Sequence, residues 1–153
     1  MDLSELFHVG IVVPDLDAAK AHFTELLGLD WGPVVESLIG IAGPDGVRHE
    51  VVNRICYSTA PPYLELIQET PGTTWVCNEF SNLHHLGFFS SDPGAVSTHL
   101  GERRCPLEVV DAQVGDAPPN WVYHRDPLGV RVEIVDGGLR DMMATYLWQP
   151  PSA

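Results

Sequence analysis

FHVGIVVPDLDAAKAHF, residues 7–23, has a counterpart 77 positions later in HHLGFFSSDPGAVSTHL, residues 84–100. This offset lays His8 on His85, Gly10 on Gly87, Asp15 on Asp92, Ala18 on Ala95 and His22 on His99. Each copy begins as a short apolar strand, crosses a polar turn and continues with a helical pattern, AAKAHFTELLG from Ala18 and GAVSTHLGERR from Gly94. Asp15 or Asp17, and Asp92, suit the helix entries, and Gly28 suits an exit. Near the end of each half the match resumes, where YLELIQE from Tyr63 lies over RVEIVDG from Arg131 and sets Glu65 on Glu133.

Turn signals at 43–46, 60–62, 115–120 and 126–129 leave room for further strands in each half. The repeat unit is therefore βαβββ, and two copies stacked on one another are expected. Modules at 1–78 and 79–138 followed by a tail at 139–153 give one compact α+β domain overall. The tail carries Met142, Met143, Tyr146, Leu147 and Trp148 as an apolar stripe fit to cover a cleft or a partner subunit.

Side chains alternate faces along a strand. Phe7, Val9, Ile11 and Val13 make an apolar face for the helix, and His8, Gly10 and Val12 look the other way. Leu64 and Leu66 belong under the helices, as do Val132 and Ile134. Alternation and the repeat together set His8, Glu65, His85 and Glu133 on the non-helical face, while His84 packs toward the other side or its edge. Two imidazoles and two carboxylates are costly to bury uncompensated. One divalent ion removes the difficulty, and mixed nitrogen and oxygen ligands suit zinc, cobalt, nickel, manganese or iron. Taken singly, such a histidine is more often a hydrogen-bonded core or surface residue, so the weight rests on the symmetric set.

Composition narrows the function. Hydrophobic residues make up 44% of 153, which is globular rather than disordered. A net charge of -13 repels nucleic acid and anionic membranes, so neither is expected as a partner, and the same field attracts a cationic small molecule. The amino terminus shows no signal pattern and no apolar run reaches membrane-span length, so a cytoplasmic protein is expected. Cys56, Cys77 and Cys105 are widely spaced and read as small buried hydrophobes.

HVGIVVPDLDAAKAHFTELLGL, YLELIQE, HHLGFF and DPLGVRVEIVD resemble the vicinal oxygen chelate superfamily, which includes glyoxalase I, methylmalonyl-CoA epimerase, extradiol dioxygenases and bleomycin-resistance proteins. The resemblance runs from about Leu6 to Asp136. It implies paired βαβββ modules forming a cupped mixed sheet around a metal site, with His8, Glu65, His85 and Glu133 at the four ligand positions and homodimers common. The HH pair and LELIQETPGTTW look most like the epimerase branch. Gln68-Glu69-Thr70-Pro71 stands where glyoxalase I usually has an asparagine soon after the first glutamate, so glutathione is not expected. The extra carboxylate Glu65 argues against the ring-cleaving iron dioxygenases, and the full ligand set against an antibiotic-binding resistance protein. Both stay as alternatives.

The chemistry this resemblance implies is proton abstraction next to a chelated carbonyl, by a metal-dependent isomerase, epimerase or lyase acting on a small-molecule carbonyl substrate. Glu133 is the candidate base as well as a ligand. Where the epimerase pattern has another glutamate on a first-module strand, Glu50 is available, with Asn53 or Arg54 as other occupants of that place. Arg54, Arg125 and Arg131 are candidates for a substrate carboxylate. Trp75, Phe89 and Trp121 are candidates for the pocket wall, although plugging the seam between modules is the preferred role for Trp75.

Overall fold

The fold is that of a computed structural model describing residues 2–115 and 117–150. Residue 1 of the first module, residue 116 of the turn at 115–120 and residues 151–153 of the tail lie outside the described residues. The order is β1 (Leu6–Val13), α1 (Leu16–Leu27), β2 (Val35–Ala42), β3 (Arg48–Tyr57) and β4 (Tyr63–Gln68), then β5 (Leu83–Ser90), α2 (Pro93–Glu102), β6 (Leu107–Asp111), β7 (Trp121–Arg125) and β8 (Arg131–Asp136). A third helix, α3 (Arg140–Tyr146), follows. The order βαβββ thus occurs twice in an α+β fold, and the eight strands form a mixed sheet of hydrogen-bonded order β1-β4-β3-β2-β6-β7-β8-β5.

The chain packs as two compact units, each assembled from separated segments. One comprises His8–Ser37, Val52–His84 and Asp141–Ala153. Here the Asp15 carboxylate accepts from the Ala18 amide at 2.9 Å and starts α1, and Gly28 ends it with φ 69°, a left-handed turn that glycine adopts without strain. Leu16, Val13, Trp31, Cys56 and Leu66 form the core, with Ile11, Phe23 and Leu64 packed on it. The tail closes on this unit too. Met143 and Trp148 are buried, the Trp148 ring stacks on Tyr63 at 4.1 Å, and Met142 and Tyr146 stay exposed. The expected apolar stripe is therefore split between core and solvent.

The other unit comprises Met1–Phe7, Leu38–Val51 and His85–Arg140. Asp92 caps α2 through the Ala95 amide at 2.9 Å, and Pro93 occupies the first turn, where it forfeits no hydrogen bond. Phe88, Val122 and Ile134 form its core, with Leu86, Val96, Leu100 and Val132 around them. Phe7, assigned by alternation to the face of Val9 and Ile11, stacks on Phe89 at 3.8 Å.

Candidate functional site

Strand register builds the same arrangement in each unit. β1 and β4 run parallel with Gly10 paired to Glu65, and β3 and β4 run antiparallel with Tyr57 opposite Glu65. β5 and β8 run parallel with Gly87 paired to Glu133, and β7 and β8 run antiparallel with Tyr123 opposite Glu133. Directly paired residues share a face. Each glutamate thus has a tyrosine on one side and, on the other, a glycine that adds no side chain. Each histidine precedes its glycine by two residues and lies on that same face.

His8 and Glu65 are 1% and 5% exposed, and His8 Nε2 lies 3.4 Å from Glu65 Oε2. The Tyr57 hydroxyl donates to the other oxygen, Oε1, at 2.5 Å, and the Tyr57 ring meets His8 edge-on at 5.5 Å. In the second unit His85 and Glu133 are 3% and 6% exposed, with His85 Nε2 at 3.3 Å from Glu133 Oε2. The Tyr123 ring is tilted against His85 at 5.0 Å, and Trp121 against Tyr123 at 5.0 Å. Burying a carboxylate with an imidazole costs solvation that a proton or a cation must offset.

His84 points elsewhere, as alternation requires. Its Nε2 donates to the Thr74 carbonyl at 2.9 Å and also lies 3.4 Å from the Thr74 hydroxyl, so it ties β5 to the segment after β4. Glu50 is exposed, with its carboxylate 3.0 Å from Arg48. Arg54 binds Asp17 at 2.8 Å and approaches Glu36 at 3.7 Å. Arg131 grips Glu108 with two nitrogens at 2.6 and 2.8 Å, and Arg125 stands 3.7 Å from the same carboxylate. Trp75 is buried at 2% exposure, Phe89 is buried under the Arg140 guanidinium at 4.2 Å, and Trp121 is half-buried. Burial pushes the thiols of Cys56, Cys77 and Cys105 above their ordinary value of 9.0, so at neutral pH they stay protonated and are poor ligands and nucleophiles.

Tyr57 escaped the sequence reading. Its partnership with Glu65 depends on the register of β3 against β4 across a turn containing Pro61 and Pro62, which one chain does not reveal. The signal that could have found it is the matching tyrosine on the penultimate strand of the second module, Tyr123.

The family model described as Glyoxalase/Bleomycin resistance protein/Dioxygenase superfamily matches residues 7–123. Among solved structures, methylmalonyl-CoA epimerase in complex with methylmalonyl-CoA and NH4+ is similar at TM-score 0.57 and 18% identity, over 86% of this chain and 93% of that one. Methylmalonyl-CoA epimerase from Mycobacterium tuberculosis is similar at TM-score 0.55 and 23% identity, over 87% of each chain. A Streptomyces coelicolor methylmalonyl-CoA epimerase variant in complex with 2-nitronate-propionyl-CoA is similar at TM-score 0.56 and 18% identity, over 86% of this chain and 96% of that one. No curated protein matches. At these identities the structures speak to the fold alone, whereas the family model spans most of the chain: this protein belongs to the glyoxalase/bleomycin resistance protein/dioxygenase superfamily, the vicinal oxygen chelate proteins.

Proposed function

We propose that the protein is a metal-dependent isomerase, epimerase or lyase that removes a proton from carbon next to a carbonyl. The carrying observation is the buried His–Glu pair that occurs twice, on equivalent strands of a duplicated module. His8, Glu65, His85 and Glu133, offering one ligand atom apiece, would hold one divalent ion. The donor geometry fits. Two atoms bound at about 2.1 Å stand roughly 3.0 Å apart at a right angle and roughly 3.4 Å at a tetrahedral one. The observed Nε2–Oε2 separations are 3.4 and 3.3 Å.

When bound, the ion supplies a Lewis acid for the carbonyl oxygen, an effect worth several kcal/mol as enolate charge develops. The chain's own residues do the rest. Tyr57 occupies Glu65 Oε1 and so keeps Oε2 turned to His8. The Glu133 carboxylate accepts the substrate proton; a proton returned by a second acid from the opposite face of the enolate inverts the carbon, and one returned by Glu133 to the neighbouring carbon moves the carbonyl. Trp121, joined to His85 through Tyr123, is the favoured pocket wall, ahead of the buried Trp75 and Phe89. The internal partners of Arg54, Arg125 and Arg131 argue for a small 2-oxo or thioester substrate held without a dedicated arginine. Glu50, already paired with Arg48, is retained only as an auxiliary base.

Modules at 1–78 and 79–138, a cytoplasmic location and a homodimer complete the reading, the last checked by light scattering. A second reading, sequestration of a cationic antibiotic, is favoured by the net charge of -13. The test incubates metal-loaded protein in deuterated water with methylmalonyl-CoA and small 2-oxo acids. Deuterium should enter at the carbon beside the carbonyl, and Glu133→Gln should slow exchange by about 10²–10⁴-fold. Oxygen uptake with an iron-loaded protein and a catechol, or tight antibiotic binding without exchange, would replace this reading.

A further inference from the structure

His124 is 1% exposed and takes no part in the site above. It precedes Arg125 on β7 and follows Tyr123, so it faces away from Tyr123. Its Nδ1 lies 2.7 Å from the Cys105 carbonyl, and its Nε2 lies 2.8 Å from Ser97 Oγ on α2. A carbonyl only accepts, so Nδ1 carries the proton. In the neutral ring Nε2 then holds the lone pair, and the Ser97 hydroxyl donates to it. Helical Ser and Thr usually spend their hydroxyl on a carbonyl one turn back, as the neighbouring Thr98 does with Gly94 at 3.0 Å. Ser97 is committed to an imidazole instead.

A second observation gives this pair a place to act. Ser97 lines a cavity of about 480 Å³ together with Pro93, Leu107, Val110, Pro119 and Val122. That volume lies in the range of small-ligand sites. Asp92 and Asp136 line it as well, which disfavours an anionic guest.

We propose that Ser97 is a nucleophile activated by His124, and that it accepts acyl groups from neutral or cationic apolar esters bound in this cavity. The donor order, hydroxyl to Nε2 with Nδ1–H anchored, is that of a serine nucleophile with its base; the anchor here is a carbonyl instead of a carboxylate, which predicts slow turnover. Ser97 Oγ bonds to the ester carbon as its proton moves to His124 Nε2. The ester C–O bond then breaks, and His124 returns that proton to the departing alcohol. Water repeats the sequence on the acyl-serine, releasing the carboxylic acid and restoring Ser97. Gly94 lines the cavity, and its amide, in the first turn of α2 where amides have no partner within the helix, is the candidate donor to the oxyanion.

The test treats the full chain, with and without a chelator, with a fluorophosphonate and with p-nitrophenyl butyrate, and maps the modified peptide by mass spectrometry. An adduct on Ser97, formed equally with chelator present, is expected. Ester hydrolysis should fall at least about tenfold in Ser97→Ala and in His124→Gln. Because His124 is buried and its replacement could unfold the chain, mapping on the unaltered chain decides the matter. An unmodified Ser97, an adduct confined to other residues, or hydrolysis unchanged in a folded Ser97→Ala protein overturns the proposal.

Discussion

At the residue scale, most of the site reduces to which neighbour a side chain is given. Adjacent histidines 84 and 85 separate because a strand sends them to opposite faces, one to the Thr74 carbonyl and the other to Glu133. His84→Ala should leave metal affinity within about twofold and cost about 1 kcal/mol of stability, the worth of a typical hydrogen bond. His85→Ala should abolish binding; the reverse pattern would mean a register off by one. Tyr57→Phe deletes only the hydroxyl on Glu65 Oε1. Metal affinity should drop 10–100-fold, the usual penalty for losing a residue that orients a ligand, with the melting curve little changed. An unaltered affinity in calorimetric titration would remove Tyr57 from the account. Cys56, fully buried, has its thiol raised above 9.0 by burial. The unfolded chain loses that proton first, so the stability Cys56 contributes is intact below pH 9 and declines as pH rises past it. Denaturant titrations from pH 8 to 10 should show a shallower decline in Cys56→Ala.

At the scale of elements, α1, α2 and the end strands were legible because their signals are local. Asp15 and Gly28 bound α1, and Asp92 with Pro93 opens α2, each satisfying backbone groups the helix leaves over. Asp15→Ala should cost about 1 kcal/mol, a fall of roughly 2–4 °C in Tm for a chain of this size. β2 and β3 were less legible, since their lengths and register are set by partners distant in sequence. That is why Asn53 and Arg54 stood beside Glu50 as occupants of one place, and why Tyr57 did not enter the site. The tail was read as a stripe, but its fate rests on one close approach that periodicity does not encode. A Cβ at Gly32 would meet the Leu147 carbonyl oxygen at 1.9 Å, so this position tolerates only glycine while the tail is docked. Gly32→Ala should destabilise by about 1–3 kcal/mol and expose Trp148, which a red shift in tryptophan emission would report. An unchanged emission spectrum and Tm would show that the tail does not pack there.

At the scale of the whole molecule, duplication made the fold readable. The same offset that matched His8 to His85 carries through to register, where Gly10 and Gly87 each pair with the glutamate of their own module. Substrate choice was not readable in the same way. The charges of Arg54, Arg125 and Arg131 suggested a ligand in the sequence, but these side chains bind Asp17 and Glu108 in the fold. No helix among the described residues is long and apolar enough to cross a membrane. The central claim is that two buried His–Glu pairs serve one ion, and metal stoichiometry tests it most directly. Stripped protein titrated with zinc, cobalt, nickel, manganese and iron should bind one ion per chain, weakening as pH falls through the histidine range near ~6.5. His8→Ala and His85→Ala should each lose that single ion. Two ions per chain, or one ion retained when His8 is replaced, would contradict a shared centre, and no uptake of any of these metals would contradict the metal site itself.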